Sequence, residues 1–328
     1  MPRPLRFLPP YTTTETTIRT LQGRYLLPLT PAFATSLVGI IARAKEQSKT
    51  YRYGEIHEPI KVHLFTQMSN HMHFLLTPRD TEQLSRFMQF VSSNIATEAS
   101  RVHGWTGTLW EDRFNSIPLT GEDGVDIERF GYIVSHGVKE GLVGRCADWI
   151  GLHCADSLTT GQPLKGQWVS YTQLSKANRC RNPERAAALR KEAYVDYELE
   201  LDPLPSWQDL PKQEMCRRAG EVMTRIEEEA AARRTKPLPD TRRLRRIQER
   251  NPHYRPTRVK KSIAPICHAA SRQARIAWRE AYRAFVAAFR WAAEQLRRGR
   301  LDAEFPAWSF PPGRPFVQTP VTLGRRPL

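Results

Sequence analysis

The sequence predicts an α+β fold: a ferredoxin-like, split βαβ antiparallel sheet with helices on one face, followed by a mainly α-helical basic C-terminal region. In the first half, strand-like and helix-like segments alternate in the order β-α-β-β-α-β, then α. In the second half, helical patterns dominate. Charge also divides the chain: residues 1–180 carry a net charge of +3, and residues 181–328 carry +13.

The first β-α-β unit is predicted from alternation and a capping signal. Residues 17–27 read as a strand. Thr30 and Pro31 supply an N-cap and a proline at the first helical position. Apolar residues follow at helical spacing, at Leu37, Ile40, Ile41 and Ala44. Residues 60–68 alternate as the second strand.

The second unit begins with a hairpin, because a short polar turn leads directly into a strand at 71–77. Asp80 is suited to cap the next helix. The apolar face of that helix is Leu84, Phe87, Met88, Val91 and Ile95. Residues 107–118 are strand-like, and 123–140 predict a final helix. This order places two helices on one face of the sheet and leaves the other face open, where folds of this plan often bind nucleic acid.

Composition excludes several classes of protein. With 328 residues and 40% hydrophobic content, the chain is too apolar for a wholly disordered protein and is long enough for two domains. No apolar run approaches the ~20 residues that span a bilayer, and no signal-peptide core follows Met1. The five cysteines are scattered without a CxxC pair, which is typical of a reducing cytoplasm. The net charge of +16 favours a nucleic-acid partner.

The triplet His71-Met72-His73 lies in the predicted third strand. Side chains at i and i+2 of a strand point to the same face, so the two imidazoles project together and Met72 points into the core. Such a pair is half of a site for a divalent metal. The alternative is a pair of exposed histidines without a ligand.

The predicted helix at 123–140 carries a second polar set. Glu128, Tyr132, His136 and Lys139 share one face, opposite the apolar Ile127, Phe130 and Val134. His136 can complete a three-ligand metal site with the two strand histidines, and Tyr132 would stand beside the metal. This arrangement suits attack by a tyrosine on a phosphodiester. The alternative is that Tyr132 packs on the surface through its ring.

These motifs resemble those of a known family. Asn70-His71-Met72-His73, then Trp110, Arg113 and Phe114, then Tyr132, and finally Gly141-Leu142-Val143 occur in the same order as in the single-tyrosine insertion-sequence transposases. Their chromosomal branch, the REP-associated tyrosine transposases of the HUH endonuclease superfamily, is the most similar. The resemblance covers about residues 10–155 and makes 1–160 the catalytic domain.

The resemblance implies a reaction and a location. His71 and His73 would bind Mg²⁺ or Mn²⁺, with His136 as the third ligand. Tyr132 would attack single-stranded DNA, in a hairpin or palindrome, giving a 5′-phosphotyrosine and a free 3′-hydroxyl. The protein would be a cytoplasmic, nucleoid-associated monomer or homodimer. One departure is His136-Gly137, where the family usually has Asn or Gln followed by Pro. The altered position predicts either a changed metal preference or a copy that no longer cuts.

Several basic residues are candidates for phosphate contacts. Arg24, Arg113 and Lys139 could each touch DNA, or be ordinary paired or solvated side chains. His63 is interpreted as structural. The region 185–328 is predicted to contact DNA, because a helix at 268–298 carries an arginine stripe that includes Arg275, Arg279 and Arg283. We expect its apolar stripe to dock on another helix, with 213–232 as the candidate. The proline-containing segment 236–261 is a basic arm or a solvated linker.

Two other functions fit the same residues. One is a catalytically inactive, domesticated DNA- or RNA-binding regulator on the same fold. The other is a metal-dependent phosphodiesterase that uses water and leaves Tyr132 idle. Formation of a covalent protein–DNA adduct distinguishes the tyrosine mechanism from both.

Overall fold

The sheet of the first half has the topology that the sequence predicts. The computed structural model describes residues 4–50, 56–248, 251–257 and 264–312, with side chains up to residue 246 in the second range. The first elements are β1 (Thr14–Arg19), α1 (Pro31–Gln47), β2 (Lys61–Gln67), β3 (His71–Thr77), α2 (Thr81–His103), β4 (Asn115–Pro118) and α3 (Val125–Val134). The strands are ordered β2-β3-β1-β4, all antiparallel. The ferredoxin-like α+β class is confirmed.

Both predicted N-caps are present. The Thr30 hydroxyl accepts a hydrogen bond from the Phe33 amide at 3.3 Å, with Pro31 at the first helical position. An Asp80 carboxylate oxygen accepts one from the Gln83 amide at 2.8 Å. Each cap satisfies an amide that has no partner inside its helix, which fixes where α1 and α2 begin.

Two strands are shorter or earlier than expected. The first strand is predicted over 17–27 but ends at Arg19. It ends there because a 3-10 turn follows, with Gln22 at a left-handed φ of 56°. The Thr20 hydroxyl donates hydrogen bonds to the carbonyl oxygens of Arg24 and Asn70. The last strand, predicted over 107–118, is confined to β4. An isolated bridge between Thr20 and Trp110 extends the pairing beyond it.

Helix α3 is also shorter than predicted, and it changes the open face of the sheet. It ends at Val134, three residues before Gly137, whose φ of 91° is left-handed. A Cβ there would lie 2.8 Å from the Trp149 ring. The helix lies against β2 and β3, where the Thr66 hydroxyl donates to the Ile133 carbonyl oxygen. Thr66 pairs with His73, so α3 covers part of the histidine face that was expected to be open.

A second layer of structure follows the four-stranded sheet. Its elements are α4 (Ala155–Thr160), β5 (Leu164–Val169), α5 (Tyr171–Arg179), α6 (Pro183–Glu192) and β6 (Tyr194–Leu199). Strands β5 and β6 pair with each other and pack on α1. Gly39 permits this contact, because a Cβ there would lie 2.2 Å from the Gln167 backbone. The boundary expected near 160–185 is therefore occupied by packed structure, and β6 is a strand inside the mainly helical region.

The remaining helices are α7 (Lys212–Arg233), α8 (Thr241–Gln248) and α9 (Arg272–Arg297). Helix α7 packs on α3 and α4. Because that contact uses its apolar face, the apolar stripe of α9 packs elsewhere: Trp278 and Phe285 hold the ring of Phe7 at 5.4 and 5.0 Å. The expectation that α9 docks on 213–232 is thus replaced by docking on the N-terminal segment.

Part of the basic arm predicted over 236–261 lies outside the described residues. Among the helices that the structure describes, none combines the length and apolar composition needed to cross a bilayer.

Candidate active site

Three histidines meet on the polar face of the sheet. His71 and His73 project from β3 with ring centroids 5.0 Å apart. His136, in the turn after α3, lies 5.4 Å from His71 and 4.5 Å from His73. One ring nitrogen of each histidine lies within 4.8 Å of the other two, and the three could hold a metal ion. The structure therefore brings together the three residues that the sequence predicts as ligands.

Each imidazole is oriented by a partner on its Nδ1 atom. His71 Nδ1 lies 2.7 Å from Asn70 Oδ1, His73 Nδ1 lies 3.0 Å from Glu15 Oε1, and His136 Nδ1 lies 3.1 Å from Glu140 Oε1. In each pair a carboxylate or amide oxygen accepts a hydrogen bond from the Nδ1–H group. The proton is then on Nδ1, so the Nε2 lone pair of each ring is left for a metal. The donor set thus fits a metal centre.

The three imidazoles are held in the neutral form that metal binding needs. Burial lowers the pKa of His71 well below its ordinary value, and the neighbouring imidazoles add to this effect. Burial likewise lowers the pKa of His73 to about 4, against the opposing hydrogen bond to Glu15. Burial lowers the pKa of His136, although its hydrogen bond to Glu140 acts in the other direction. A neutral ring keeps its lone pair available.

Buried neutral histidines should make the metal-free protein sensitive to acid. A fourth histidine, His153, is also buried and neutral, because burial lowers its pKa to about 4. Its Nε2 lies 3.0 Å from the Val134 carbonyl oxygen, and its Nδ1 accepts a hydrogen bond from the Ala155 amide. Below pH ~6.5 these imidazoles bind protons in the unfolded chain but stay neutral in the folded chain. The free energy of unfolding therefore falls as pH drops from ~6.5 to ~4. The slope should be roughly 1 kcal/mol or more per pH unit for each such histidine.

Urea unfolding followed by circular dichroism, in EDTA at pH 7, 6, 5 and 4, measures this slope. The His153→Gln variant should show a slope smaller by about one proton, because glutamine can still donate to the Val134 carbonyl oxygen but does not titrate. An unfolding free energy that stays constant or rises over this range would contradict the assignment of neutral, buried rings.

Tyr132 lies at the edge of the histidine cluster. Its ring is 5.4 Å from that of His136 and 5.8 Å from that of His73. Tyr132 is 40% exposed, so part of it is open to a substrate. Arg129 Cζ lies 4.1 Å from the ring centre and Lys139 Nζ lies 3.5 Å from it. These contacts hold the ring without blocking its exposed side.

The protein alone does not activate the Tyr132 hydroxyl. Burial raises the pKa of the Tyr132 hydroxyl, and the negative charge of Glu15 raises it further by a smaller amount. The positive charge of Arg129 only partly opposes this. The phenol therefore stays protonated at neutral pH. An additional cation at the histidine cluster would be needed to favour the phenolate.

Lys139 occupies the centre of the site in the structure. Its Nζ lies 3.2 Å from His136 Nε2 and donates to the Tyr132 carbonyl oxygen at 3.3 Å. Burial lowers the pKa of its ammonium to about 8, against the attraction of Glu140. A metal bound through His136 Nε2 requires that Lys139 gives up this hydrogen bond, which frees the ammonium for an anion.

Glu15 is the acidic residue that connects the site to the rest of the chain. Its Oε1 meets His73, and its Oε2 lies 3.0 Å from Arg129 Nε and 2.9 Å from His268 Nε2. Burial acts to raise the pKa of this carboxyl, but the close contact with His268, the hydrogen bond from His73 and the charge of Arg129 outweigh it. The pKa lies far below its usual range, and Glu15 is a buried anion.

The segment that contains His268 is hydrogen-bonded to the end of the four-stranded sheet. Its amide donates to the Pro118 carbonyl oxygen, and its carbonyl oxygen accepts from the Thr120 amide, both at 2.9 Å. The Glu122 carboxylate accepts from the amides of Ala270 and Ser271, at the start of α9. The C-terminal region therefore contributes a side chain to the surroundings of the histidine cluster.

The predicted DNA contacts outside the cluster are not gathered around it. Arg24 donates to the His253 carbonyl oxygen at 2.9 Å and to the Gln22 side chain. Arg113 donates to the Pro4 carbonyl oxygen at 2.6 Å. The three arginines predicted on the α9 stripe are exposed on that helix, at Arg275, Arg279 and Arg283. His63, interpreted as structural, is buried with its Nε2 2.7 Å from the Thr77 hydroxyl.

Sequence reasoning missed five residues around the site: Glu15, Arg19, Arg129, Glu140 and His268. Arg129 and Glu140 had a local signal, because they lie three residues before Tyr132 and four after His136. Glu15 and Arg19 pair across the ladder with Leu75 and His71, on the face of the histidines, but this follows only from the true bounds of β1. No local signal indicates His268.

Comparison with known proteins gives structural neighbours only. No protein-family model matches the chain, and no curated protein is similar to it. One solved structure is a REP-associated tyrosine transposase bound to a REP hairpin, with 19% identity and a TM-score of 0.34, covering 49% of this chain and 87% of that one. A second is a Deinococcus radiodurans protein described as a transposase, with 15% identity and a TM-score of 0.26, covering 40% and 95%. At such identities and scores neither structure decides what this chain does.

Proposed function

We propose that this chain is a transposase-type endonuclease and strand-transferase acting on single-stranded DNA, with Tyr132 as the nucleophile. One observation carries the proposal: three neutral imidazoles converge with one ring nitrogen each within 4.8 Å, and the exposed tyrosine lies against two of them. A metal pocket beside a tyrosine suits phosphodiester chemistry better than a structural site, which would have no use for a reachable hydroxyl.

The covalent step exchanges one phosphodiester for another. The Tyr132 Oη–phosphorus bond forms, the bond from phosphorus to the 3′-oxygen breaks, and the products are a 5′-phosphotyrosine and a 3′-hydroxyl. The phenolic proton leaves to solvent, and the 3′-oxygen takes up a proton from solvent. No energy-rich cofactor is consumed, so the reverse reaction can rejoin strands.

The residues of the site divide the work. His71, His73 and His136 would hold the metal, and three imidazole nitrogens favour Mn²⁺ over the oxygen-preferring Mg²⁺. When bound, the metal would polarise the scissile phosphate and stabilise the developing negative charge. Lys139, released from His136, would pair with a phosphate oxygen. Because all these residues belong to one chain, a monomer suffices for the chemistry.

The substrate follows from the motif resemblance and the charge. Single-stranded DNA in a hairpin or palindrome would be the target, and a nucleoid-associated protein of the cytoplasm would meet it. The exposed Arg275, Arg279 and Arg283 of α9 would contact the phosphates of the flanking duplex. Arg24 and Arg113 bond to carbonyl oxygens of this chain, so their use on DNA would require those bonds to open.

A covalent-adduct assay tests the function. A hairpin oligonucleotide labelled at its 5′ end in one preparation and at its 3′ end in another is incubated with the protein and Mn²⁺, then separated under denaturing conditions. We expect the 3′-end label to migrate with the protein and the 5′-end label to appear on a free shorter strand. EDTA should abolish both products.

The other outcomes identify the alternatives. Binding without cleavage, in Mn²⁺ and on several hairpins, would replace the enzyme by an inactive DNA-binding regulator. Cleavage without any label on the protein would replace the tyrosine mechanism by a water-using phosphodiesterase. Label transfer from the 5′ end would reverse the polarity that we propose.

A further inference from the structure

A groove of about 800 Å³ opens beside Tyr132, outside the histidine cluster. One wall is the end of α3 and the turn after it, and the other is the end of α7 with the segment up to Arg243. Lys139 lines the groove and also contacts the Tyr132 ring, so this side chain connects the groove to the proposed nucleophile. Its second wall lies outside the part of the chain that the family resemblance covers.

The groove carries unneutralised positive charge. Five cations line it, at Lys139, Arg233, Arg234, Lys236 and Arg243, against the two acids Glu140 and Glu229. Glu229 is paired with Arg233 at 3.1 Å, and Glu140 is held by His136 and the Gly137 amide. In the part of the chain that the structure describes, Arg234, Lys236 and Arg243 have no acidic partner.

Apolar side chains separate these charges. Leu142, Ile226, Ala230, Pro237 and Pro239 also line the groove. A surface with cations for phosphates and apolar patches for base faces suits a single strand, whose bases are free to stack. A duplex keeps its base faces stacked inside and would not use the apolar part.

The walls of the groove are fixed by packing rather than by the loop alone. The side chains of Ile226 and Val222 close on Gly131 of α3, where a Cβ would lie 3.5 Å from Ile226 Cδ1. Leu238 packs on Gly144, where a Cβ would lie 3.2 Å from its Cδ1. Leu244 of α8 is buried. These packing contacts hold the segment that places Lys236 and Arg243 on the wall of the groove.

We propose that this groove binds the single-stranded DNA adjoining the scissile phosphate, with Arg234, Lys236 and Arg243 on its backbone. The inference rests on the proposed function for the identity of the strand. It adds that α7 and the segment after it, rather than the catalytic sheet alone, select a substrate with a single-stranded tail.

Two triple variants of equal charge test the groove, both in a Tyr132→Phe background so that binding is measured without cleavage. The groove variant is Arg234→Gln, Lys236→Gln, Arg243→Gln. The matched control is Arg242→Gln, Arg245→Gln, Arg246→Gln, which removes three exposed arginines of α8 that do not line the groove. The probes are one DNA hairpin with a ten-nucleotide single-stranded tail and the same hairpin without it, read by fluorescence anisotropy.

The groove variant should lose the affinity gained from the tail, by about tenfold or more, and bind the blunt hairpin as the control does. Its salt dependence on the tailed probe should flatten by about 2 in slope, at about 0.7 for each phosphate contact in a single strand. The control should weaken both probes equally. Circular dichroism and thermal melting verify that both variants fold.

Equal losses in the two triple variants would show that only overall charge matters and would overturn the groove. A different outcome is that an RNA tail or an acidic peptide binds as tightly as the DNA tail in the control and loses that affinity in the groove variant. That result would overturn the assignment to single-stranded DNA. The result is separate from the chemistry: if the wild-type protein forms no adduct while tail binding depends on the groove, the binding site stands and the proposed enzyme does not.

Discussion

Replacing Tyr132 with phenylalanine should abolish the covalent protein–DNA adduct, a loss of at least about 10³-fold relative to the wild type. Removing a nucleophile removes the bond-forming atom, and only slow background hydrolysis at the metal site can remain. The ring itself is retained, so its contacts with Arg129 and Lys139 persist. We therefore expect hairpin affinity and the melting temperature to change little. Gel analysis of the end-labelled hairpin measures the adduct, and anisotropy measures the affinity.

A second tyrosine provides the control. Tyr194, on β6, is 49% exposed, close to the 40% of Tyr132, and lies in the second sheet. Tyr194→Phe should leave adduct formation at the wild-type level. If DNA cleavage in Mn²⁺ survives Tyr132→Phe at the wild-type rate, the nucleophile is water, and the position of Tyr132 beside the imidazoles reflects packing alone.

The parts of this site that the sequence predicts are those with a short-range signal. The strand period of two places His71 and His73 together, and the helical period of 3.6 places His136 beside Tyr132, although α3 ends before His136. The caps at Thr30 and Asp80 are equally local. Such features depend on a few neighbouring residues, so they survive errors in the bounds of the elements.

The first strand was misplaced for a physical reason. Its residues from Thr14 to Thr17 are polar yet mostly buried, because one face of this strand lies under the site and carries Glu15. The apolar residues Leu26 and Leu27, which favoured a strand at 17–27, are buried in a connecting segment instead. Alternation of apolar and polar residues predicts strands with one solvated face, and here the functional face breaks that pattern.

The contact between Glu15 and His268 has no sequence signal, because it joins residues far apart in the chain. It exists because the segment before α9 pairs with the end of β4. The sequence predicted a division of labour, with chemistry in the first half and DNA contact in the second. The structure shows that a side chain from the second half reaches the carboxylate that orients a proposed metal ligand.

Replacing Glu15 with glutamine should lower both the stability of the protein and its affinity for Mn²⁺. Glutamine can still accept a hydrogen bond from His73 Nδ1, but it cannot neutralise Arg129, whose side chain is largely buried beside it. Breaking a buried ion pair from one side costs about 3–5 kcal/mol. The neutral amide also no longer raises the basicity of the His73 ring as the carboxylate does, and mutation of such an orienting partner costs about 10–100-fold in metal affinity. Urea unfolding and calorimetric titration with Mn²⁺ measure the two effects.

Glu140→Gln is the matched comparison, since Glu140 orients His136 in the same way but its side chain is 34% exposed. Because water already screens an exposed carboxylate, the stability cost of Glu140→Gln should be well below that of Glu15→Gln. The effect on Mn²⁺ affinity should persist. Equal stability costs in the two variants would contradict the buried-anion role of Glu15. Unchanged Mn²⁺ affinity in both would contradict the role of these carboxylates in presenting the imidazoles.

The pH dependence of the Glu15→Gln cost provides an independent check of the same charge. The pKa of Glu15 is held far below its ordinary value in the folded protein, so its stabilising contribution is complete above the unfolded pKa of about 4.3 and decreases as pH falls below it. The difference in unfolding free energy between the wild type and Glu15→Gln should therefore be constant from pH 7 to 5 and shrink towards pH 3. The buried His153 acts on both proteins alike and cancels from this difference, because its pKa is set by burial and by the Val134 carbonyl oxygen and not by Glu15. A gap that widens on acidification would mean that Glu15 is already protonated in the fold, and that Arg129 is stabilised by some other group.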